Sequence, residues 1–295
     1  MNGSHVKPKP ARPLILCADD FGQSQAIDDA ILALLAQGRL SAVSCMVNGP
    51  AWAADAPRLM ALPAVQQGQV SVGLHLNLSE GRPLSAALAR HWPQCPPLPR
   101  LIAQAQLRRL PRAAWQDEPD TQWDCFQQHA GREPQHLDGH QHVHHLPQLR
   151  AWVLARQARH PALRVRNTGT PTGPGFALKR ALIQGTGGRT LQTALKTRGA
   201  AQNSVLLGAY DFQQNDYRAC MQAWLQHVPP LGPLPGALLF CHPGNAGAGP
   251  DAIAAARLRE RDYLAGDAFA QDLRAAGVVL VSGIKPGIKQ TTNAD

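Results

Sequence analysis

Leu14-Ile-Leu-Cys-Ala-Asp-Asp-Phe-Gly22 is a short apolar run that ends abruptly in two carboxylates and a glycine turn. A run of this length, bounded by turn residues, reads as a buried strand. Residues 24–38 behind it have helical spacing (Ile27, Ile31, Leu34, Leu35), with Ser24 placed to cap the start and Gly38 to stop the end. The pattern recurs: segments 42–47, 70–78, 135–144, 163–166, 204–207, 237–241 and 277–282 are strand-like and are separated by helical stretches. Strands alternating with helices imply parallel pairing through βαβ units. Seven or eight such strands predict an α/β fold, a single (β/α) barrel or a variant of one. Barrels of this kind gather their chemistry at the C-terminal strand ends, where Asp19, Asp20 and His242 fall.

The 295 residues carry 44% hydrophobic side chains, enough for a substantial core. Length alone would allow about two domains, but barrels of about 250 residues are common. With no internal repeat and no linker, one domain is expected over 1–295, its core spanning about 13–283. No apolar run approaches the roughly 18 residues of a membrane span. Residues 1–13 are polar and basic without the apolar segment of a secretory signal. Six cysteines are scattered with no Cys-x-x-Cys pair, and Cys17, Cys45 and Cys241 lie in apolar runs, so a reduced, cytoplasmic protein is expected.

The net charge of +9 raises the question of nucleic acid. The basic residues are dispersed through Ala/Gln/Leu/Arg helices such as 101–112 and 149–166, without an aromatic platform or a dense basic block. A solvated basic surface is the better reading, which leaves affinity for anionic substrates or lipid head groups open and predicts no nucleic-acid partner. Segments 83–122 and 168–203 fit the alternation poorly; the first predicts helices or a flap, the second a partly mobile stretch, and the tail after Ser282 predicts disorder.

The densest chemistry lies in His136-Leu-Asp-Gly-His-Gln-His-Val-His144. If the run is extended, His136, Asp138, His140, His142 and His144 all point one way, since strand side chains alternate. That crowding is costly in an apolar core and reasonable around a cation; the competing reading is an exposed His-rich loop. Asp19 and Asp20 repel each other unless a cation lies near, so one could bind metal while the other accepts a proton from water. The alternative is a helix start where acids favour the dipole. His75 and Asn77 share one face of strand 70–78. A lone His there is ordinarily a core residue, and it becomes a ligand candidate only because two other strands supply partners. Asp/His/His with open positions is the facial arrangement expected of a hydrolytic or oxygen-activating metal site. His242 precedes Pro-Gly at a strand end, which suits a general acid or a structural cap.

Ala18-Asp-Asp-Phe-Gly22, Gly73-Leu-His-Leu-Asn-Leu78 with Glu80-Gly81, the His136–His144 run and Cys241-His-Pro-Gly244 together resemble the YdjC/ChbG-type carbohydrate deacetylases, from about Pro13 to Ser282. Arg257-Leu-Arg-Glu-Arg-Asp-Tyr-Leu264 and Ala276-Gly-Val-Val-Leu-Val-Ser282 are similar to the hopanoid-biosynthesis-associated branch called HpnK. The resemblance implies a distorted barrel of the polysaccharide-deacetylase kind, a homodimer, and one divalent metal ion, magnesium or zinc, held by Asp20, His75 and His140. It implies Asp19 as general base and His242 as general acid or transition-state stabiliser. The implied reaction is hydrolytic removal of an N-acetyl group from a sugar, either a chitooligosaccharide or an N-acetylglucosaminyl hopanoid lipid, the latter with peripheral lipid contact. Asp138, His142 and His144 are assigned to a supporting layer or the substrate wall, because a three-ligand site cannot use every imidazole on that strand. Asn77 joins that group, and Arg166, at another strand end, is a candidate for substrate hydroxyls. Two other classes compete: a phosphoesterase-like barrel metallohydrolase, which would need more bridging carboxylates, and a metal- or sugar-binding protein without turnover.

Overall fold

The computed structural model describes residues 11–230, 236–247 and 251–283. The tail expected to be disordered lies, beyond Gly283, outside the described residues. Among the described residues eight strands form one parallel sheet: β1 (Arg12–Phe21), β2 (Ala42–Cys45), β3 (Ser71–Leu76), β4 (His136–Gly139), β5 (Arg164–Val165), β6 (Leu206–Leu207), β7 (Ala237–Cys241) and β8 (Val278–Leu280). The order is β5-β4-β3-β2-β1-β7-β6, with β8 beside the first residues of β1. The sheet curves into an irregular half-barrel, and isolated parallel bridges, Val165 to Gln202 and Pro171 to Leu206, span the stretch between β5 and β6. This is the distorted barrel expected from the alternation of elements.

Strand parity sorts the side chains of β1. Leu14, Leu16 and Ala18 join the core under the helices, while Ile15 and Cys17 face the barrel interior with Leu206, Leu238 and Phe240. Both faces are thus covered, which is why the strand reads as an uninterrupted apolar run. The following helix, Gln25–Ala36, begins as expected: the Ser24 side chain accepts from the Ile27 N–H.

Segment 83–122 folds into helices, among them Ala86–His91 and Leu98–Gln106. They enclose a second apolar cluster with Leu76, Leu78, Val143 and Leu146, so this segment is packed against the barrel end. Segment 168–203 likewise contains the helices Ala177–Ile183 and Arg189–Thr197.

The His-rich run departs from a single extended strand. β4 ends at Gly139, and Gln141 and His142 take left-handed backbone angles (φ 51° and 63°). Alternation therefore holds only for His136 and Asp138. The His136 ring packs against Gly73, where an added Cβ would lie 2.2 Å from it. Ser71 and Ser44 engage its two nitrogens at 2.8 and 3.0 Å. Burial lowers its pKa to about 3, so it is a neutral, hydrogen-bonded core residue.

Candidate metal centre and active site

The site begins with an irregularity in β1. Ala18 pairs with Val43 and Phe21 with Cys45, so Asp19 and Asp20 together stand opposite the single residue Ser44. This is a β-bulge, and Asp20 absorbs it with φ 71°. In a regular strand two neighbours would face opposite sides. Here both carboxylates line one cavity of about 370 Å³ at the C-terminal end of the barrel.

His75 from β3 and His140 from the turn after β4 reach the same point. The His140 Nδ1 lies 2.9 Å and the His75 Nε2 3.5 Å from Oδ1 of Asp20. Asp20, His75 and His140 each offer a donor atom within 4.8 Å of the others, and all three are buried. The distal nitrogens are held as well: Asp138 Oδ1 takes His75 Nδ1 at 2.7 Å, and Glu80 Oε2 takes His140 Nε2 at 2.9 Å. An imidazole whose far nitrogen is fixed by a carboxylate is the usual support of a metal ligand. The donor set therefore fits a divalent cation.

The charges agree with that fit. Burial opposes ionisation of Asp20, but Arg257 and His140 outweigh it and hold the carboxyl well below its usual range. Burial would likewise depress His75, yet Asp138 and Asp19 raise it to about 10. His140 is raised too, against its burial, by Asp20. The imidazoles thus carry positive charge that a cation would replace, with release of protons.

Arg166 comes from the end of β5 and is buried. Its Nη1 donates to Asp19 Oδ2 at 2.7 Å and its Nη2 to Asp19 Oδ1 at 2.6 Å, and it also pairs with Asp138. Arg166 is therefore committed to two carboxylates rather than to the open cavity. Asn77 is similarly spoken for. Its Oδ1 accepts from the Ser79 and Glu80 N–H groups, shaping the loop that carries Glu80. His144 is buried with Nε2 on the Arg166 carbonyl at 3.0 Å, behind the wall. His142 does line the cavity, and its Nδ1 has no partner among the described residues. His242 lines the cavity between Phe212 and Phe240, which stand edge-on to it, and its Nδ1 is likewise unpartnered. Burial lowers the His242 pKa to about 4, so the imidazole is neutral, not poised near the working range as its strand-end position predicts.

Three residues with no role assigned from sequence complete the centre. Glu80 holds His140. Arg257, from the helix Ala254–Ala265, donates to Asp20 Oδ2 at 2.8 Å and to Gln23 Oε1 at 2.9 Å, and pairs with Asp251. Glu260, one turn further on, accepts from the Tyr210 hydroxyl and the His242 N–H. Burial raises the Glu260 pKa to about 7. Between about 4.3, the unfolded value, and about 7, the native state keeps this proton while the unfolded chain gives it up, so Glu260 lowers stability as pH rises. Glu260→Gln should therefore gain on the wild type by up to about 3 kcal/mol over that window. Paired denaturation curves at pH 4.5 and 7.5 read this difference, and a constant offset would remove the assignment.

A family model described as YdjC-like protein matches residues 13–275. A carbohydrate deacetylase of Homo sapiens is 35% identical over 147 residues, covering 47% of this chain and 43% of that protein. A chitooligosaccharide deacetylase of Enterobacter sp. (strain 638) is 33% identical over 156 residues, covering 50% of this chain and 56% of that one. The chain thus spans about half the length of the curated relatives it matches. The crystal structure of a protein from Enterococcus faecalis V583, described as a candidate cellobiose-phosphate cleavage protein, superposes with a TM-score of 0.70. It does so at 18% identity, over 92% of this chain and 98% of that one, which establishes the fold.

Proposed function

Because the chain belongs to the YdjC-like protein family, we propose that it hydrolyses the N-acetyl group of an acetylated sugar, with one divalent metal ion, magnesium or zinc, held by Asp20, His75 and His140. The observation that carries this reading is the convergence of those donors, each backed by its own partner, beside a second carboxylate on the same cavity. A metal of this kind supplies Lewis acidity toward the acetyl carbonyl and lowers the pKa of water.

The chain's own groups account for the remaining steps. Asp19, fixed by the Arg166 fork, keeps a free lone pair on each oxygen and takes a proton from the attacking water. His242 is neutral at rest, so its N–H serves the developing oxyanion and the departing nitrogen by hydrogen bonding, the stabiliser role rather than that of a stored acid. As the C–N bond breaks, the proton taken by Asp19 passes to the amine and acetate leaves. His142 offers its unpartnered Nδ1 to a sugar hydroxyl.

For the substrate we favour an N-acetylglucosaminyl hopanoid lipid over a free chitooligosaccharide. Leu98, Ile102, Leu146, Ile183 and Phe240 give the cavity apolar walls, and the 257–264 and 276–282 stretches carry the HpnK-like pattern. The six free cysteines accord with a reducing, cytoplasmic setting. No described helix is long and apolar enough to cross a membrane. One domain and a homodimer belong to the same reading, the latter measured by light scattering.

Acetate and free amine released from chitooligosaccharides and from N-acetylglucosaminyl lipids, with and without chelator, test the proposal. The expected result is chelator-sensitive release. Metal-loaded protein that releases no acetate from any of them would sink the activity. His140→Ala should fail to retain metal through dialysis, as elemental analysis reads, whereas wild type holds one equivalent. Full retention would remove His140 from the ligand set.

A further inference from the structure

Two stretches form much of the cavity wall, which Gln23, Glu80, Phe212 and Asp251 help complete. Residues 81–116 supply Leu98 and Ile102 to it, and residues 168–210 supply Leu182, Ile183 and Thr186. They meet where Gln106 Nε2 donates to the Thr186 carbonyl at 2.6 Å. Neither stretch contains an Asp or Glu, although the chain has 20 acidic residues. Together they hold eleven Lys and Arg against a net charge of +9, so the rest of the molecule is slightly acidic. The fold brings most of these dispersed charges to one end: the 81–116 helices pack on Leu76, Leu78 and Leu146 there, and Arg189 follows Gly188, which abuts Thr168. Arg82, Arg90, Arg100, Arg108, Arg109, Arg112 and Arg189 are exposed there, and none of them forms an ion pair among the described residues.

The same stretches carry four of the five large apolar side chains that are exposed among the described residues: Leu178 (85% exposed), Leu107 (63%), Leu182 (56%) and Leu84 (39%). Leu178 and Leu182 are one turn apart on a single helix face, and Leu107 directly follows the Gln106 bridge. A surface evolved only to stay solvated, or only to hold a soluble polyanion, gains nothing from bare leucines. Leucines that leave water, ringed by cations, are the signature of an element lying in the interface of an anionic bilayer.

We propose that this rim docks on an anionic lipid bilayer, with Leu107 and Leu178 in the boundary between head groups and acyl chains, the arginines against the head groups, and the cavity mouth turned toward the membrane. The docking itself is independent of the reaction. Only its consequence, that the bilayer presents the substrate, rests on the deacetylase reading.

The test uses the full chain and sedimentation with two kinds of vesicle, phosphatidylcholine alone and phosphatidylcholine with phosphatidylglycerol. The wild type should sediment with the anionic vesicles and be released by high salt. Leu107→Ser with Leu178→Ser should cut partitioning by about tenfold or more, and Arg108→Gln with Arg109→Gln by about fivefold per charge. Both variants should keep the wild-type unfolding midpoint. Wild type that ignores anionic vesicles, or binding unaffected by both pairs of substitutions, overturns the proposal. So does retention on heparin without vesicle binding, which would make the rim a polyanion surface. Acetate release from water-soluble acetylated sugars, measured on the same proteins, separates the two readings. Its absence in wild type with vesicle binding intact would count against the reaction alone.

Discussion

Asp19→Asn should lower turnover by about 10²–10⁴-fold, the contribution of a positioned proton acceptor, while metal content stays close to wild type. The amide keeps the shape of the carboxylate, so the Arg166 fork retains one acceptor at Asp19 and its second partner, Asp138. What the variant loses is the ability to take a proton from water beside the Asp20–His75–His140 donors. The loss should fall on kcat, since a group that acts on water contributes little to sugar binding. Measured kcat within a few-fold of wild type would remove Asp19 from the base role and leave it as a partner for Arg166.

Arg166→Met is expected to act on the whole molecule. The guanidinium is buried between the Asp19 and Asp138 carboxylates, and its removal strands Asp19 without its counter-charge and leaves Asp138 with His75 alone. Breaking a buried pair from one side typically costs about 3–5 kcal/mol, because desolvation of the remaining charge is no longer offset. A lowered urea midpoint with an unchanged slope is the expected reading. The damage should reach the metal site too, since Asp138 also orients His75. A variant as stable as wild type would mean that the two carboxylates are satisfied some other way.

These two residues also show how far the sequence could be read. The apolar strand before Asp19 and the helix cap at Ser24 are local patterns, so the alternation of elements and the barrel followed from them directly. His75 and His140 were candidates because each follows or sits in a strand whose C-terminal end faces the same mouth. The His136–His144 run misled over its second half. Period-two spacing is indifferent to where a strand stops, and the left-handed turn at Gln141 and His142 has no glycine to announce it. Arg166 was visible as a strand-end cation, but its partners depend on how β1, β4 and β5 close around it. Arg257 and Glu260 sit one turn apart on an ordinary charged helix, and only the return of that helix to β1 places them on Asp20 and His242. The concentration of cations around the mouth was hidden for the same reason: it is a property of two segments brought side by side.

The bulge at Asp19 and Asp20 separates scaffold from chemistry by one residue. Losing a single codon between Ala18 and Phe21 would restore an even ladder with β2, keep every apolar contact of the strand, and leave room for only one acid on the mouth side. Descendants of such a deletion would inherit the architecture intact and idle. For that reason, an evolutionary search for catalytically silent members of this lineage should begin by counting residues there.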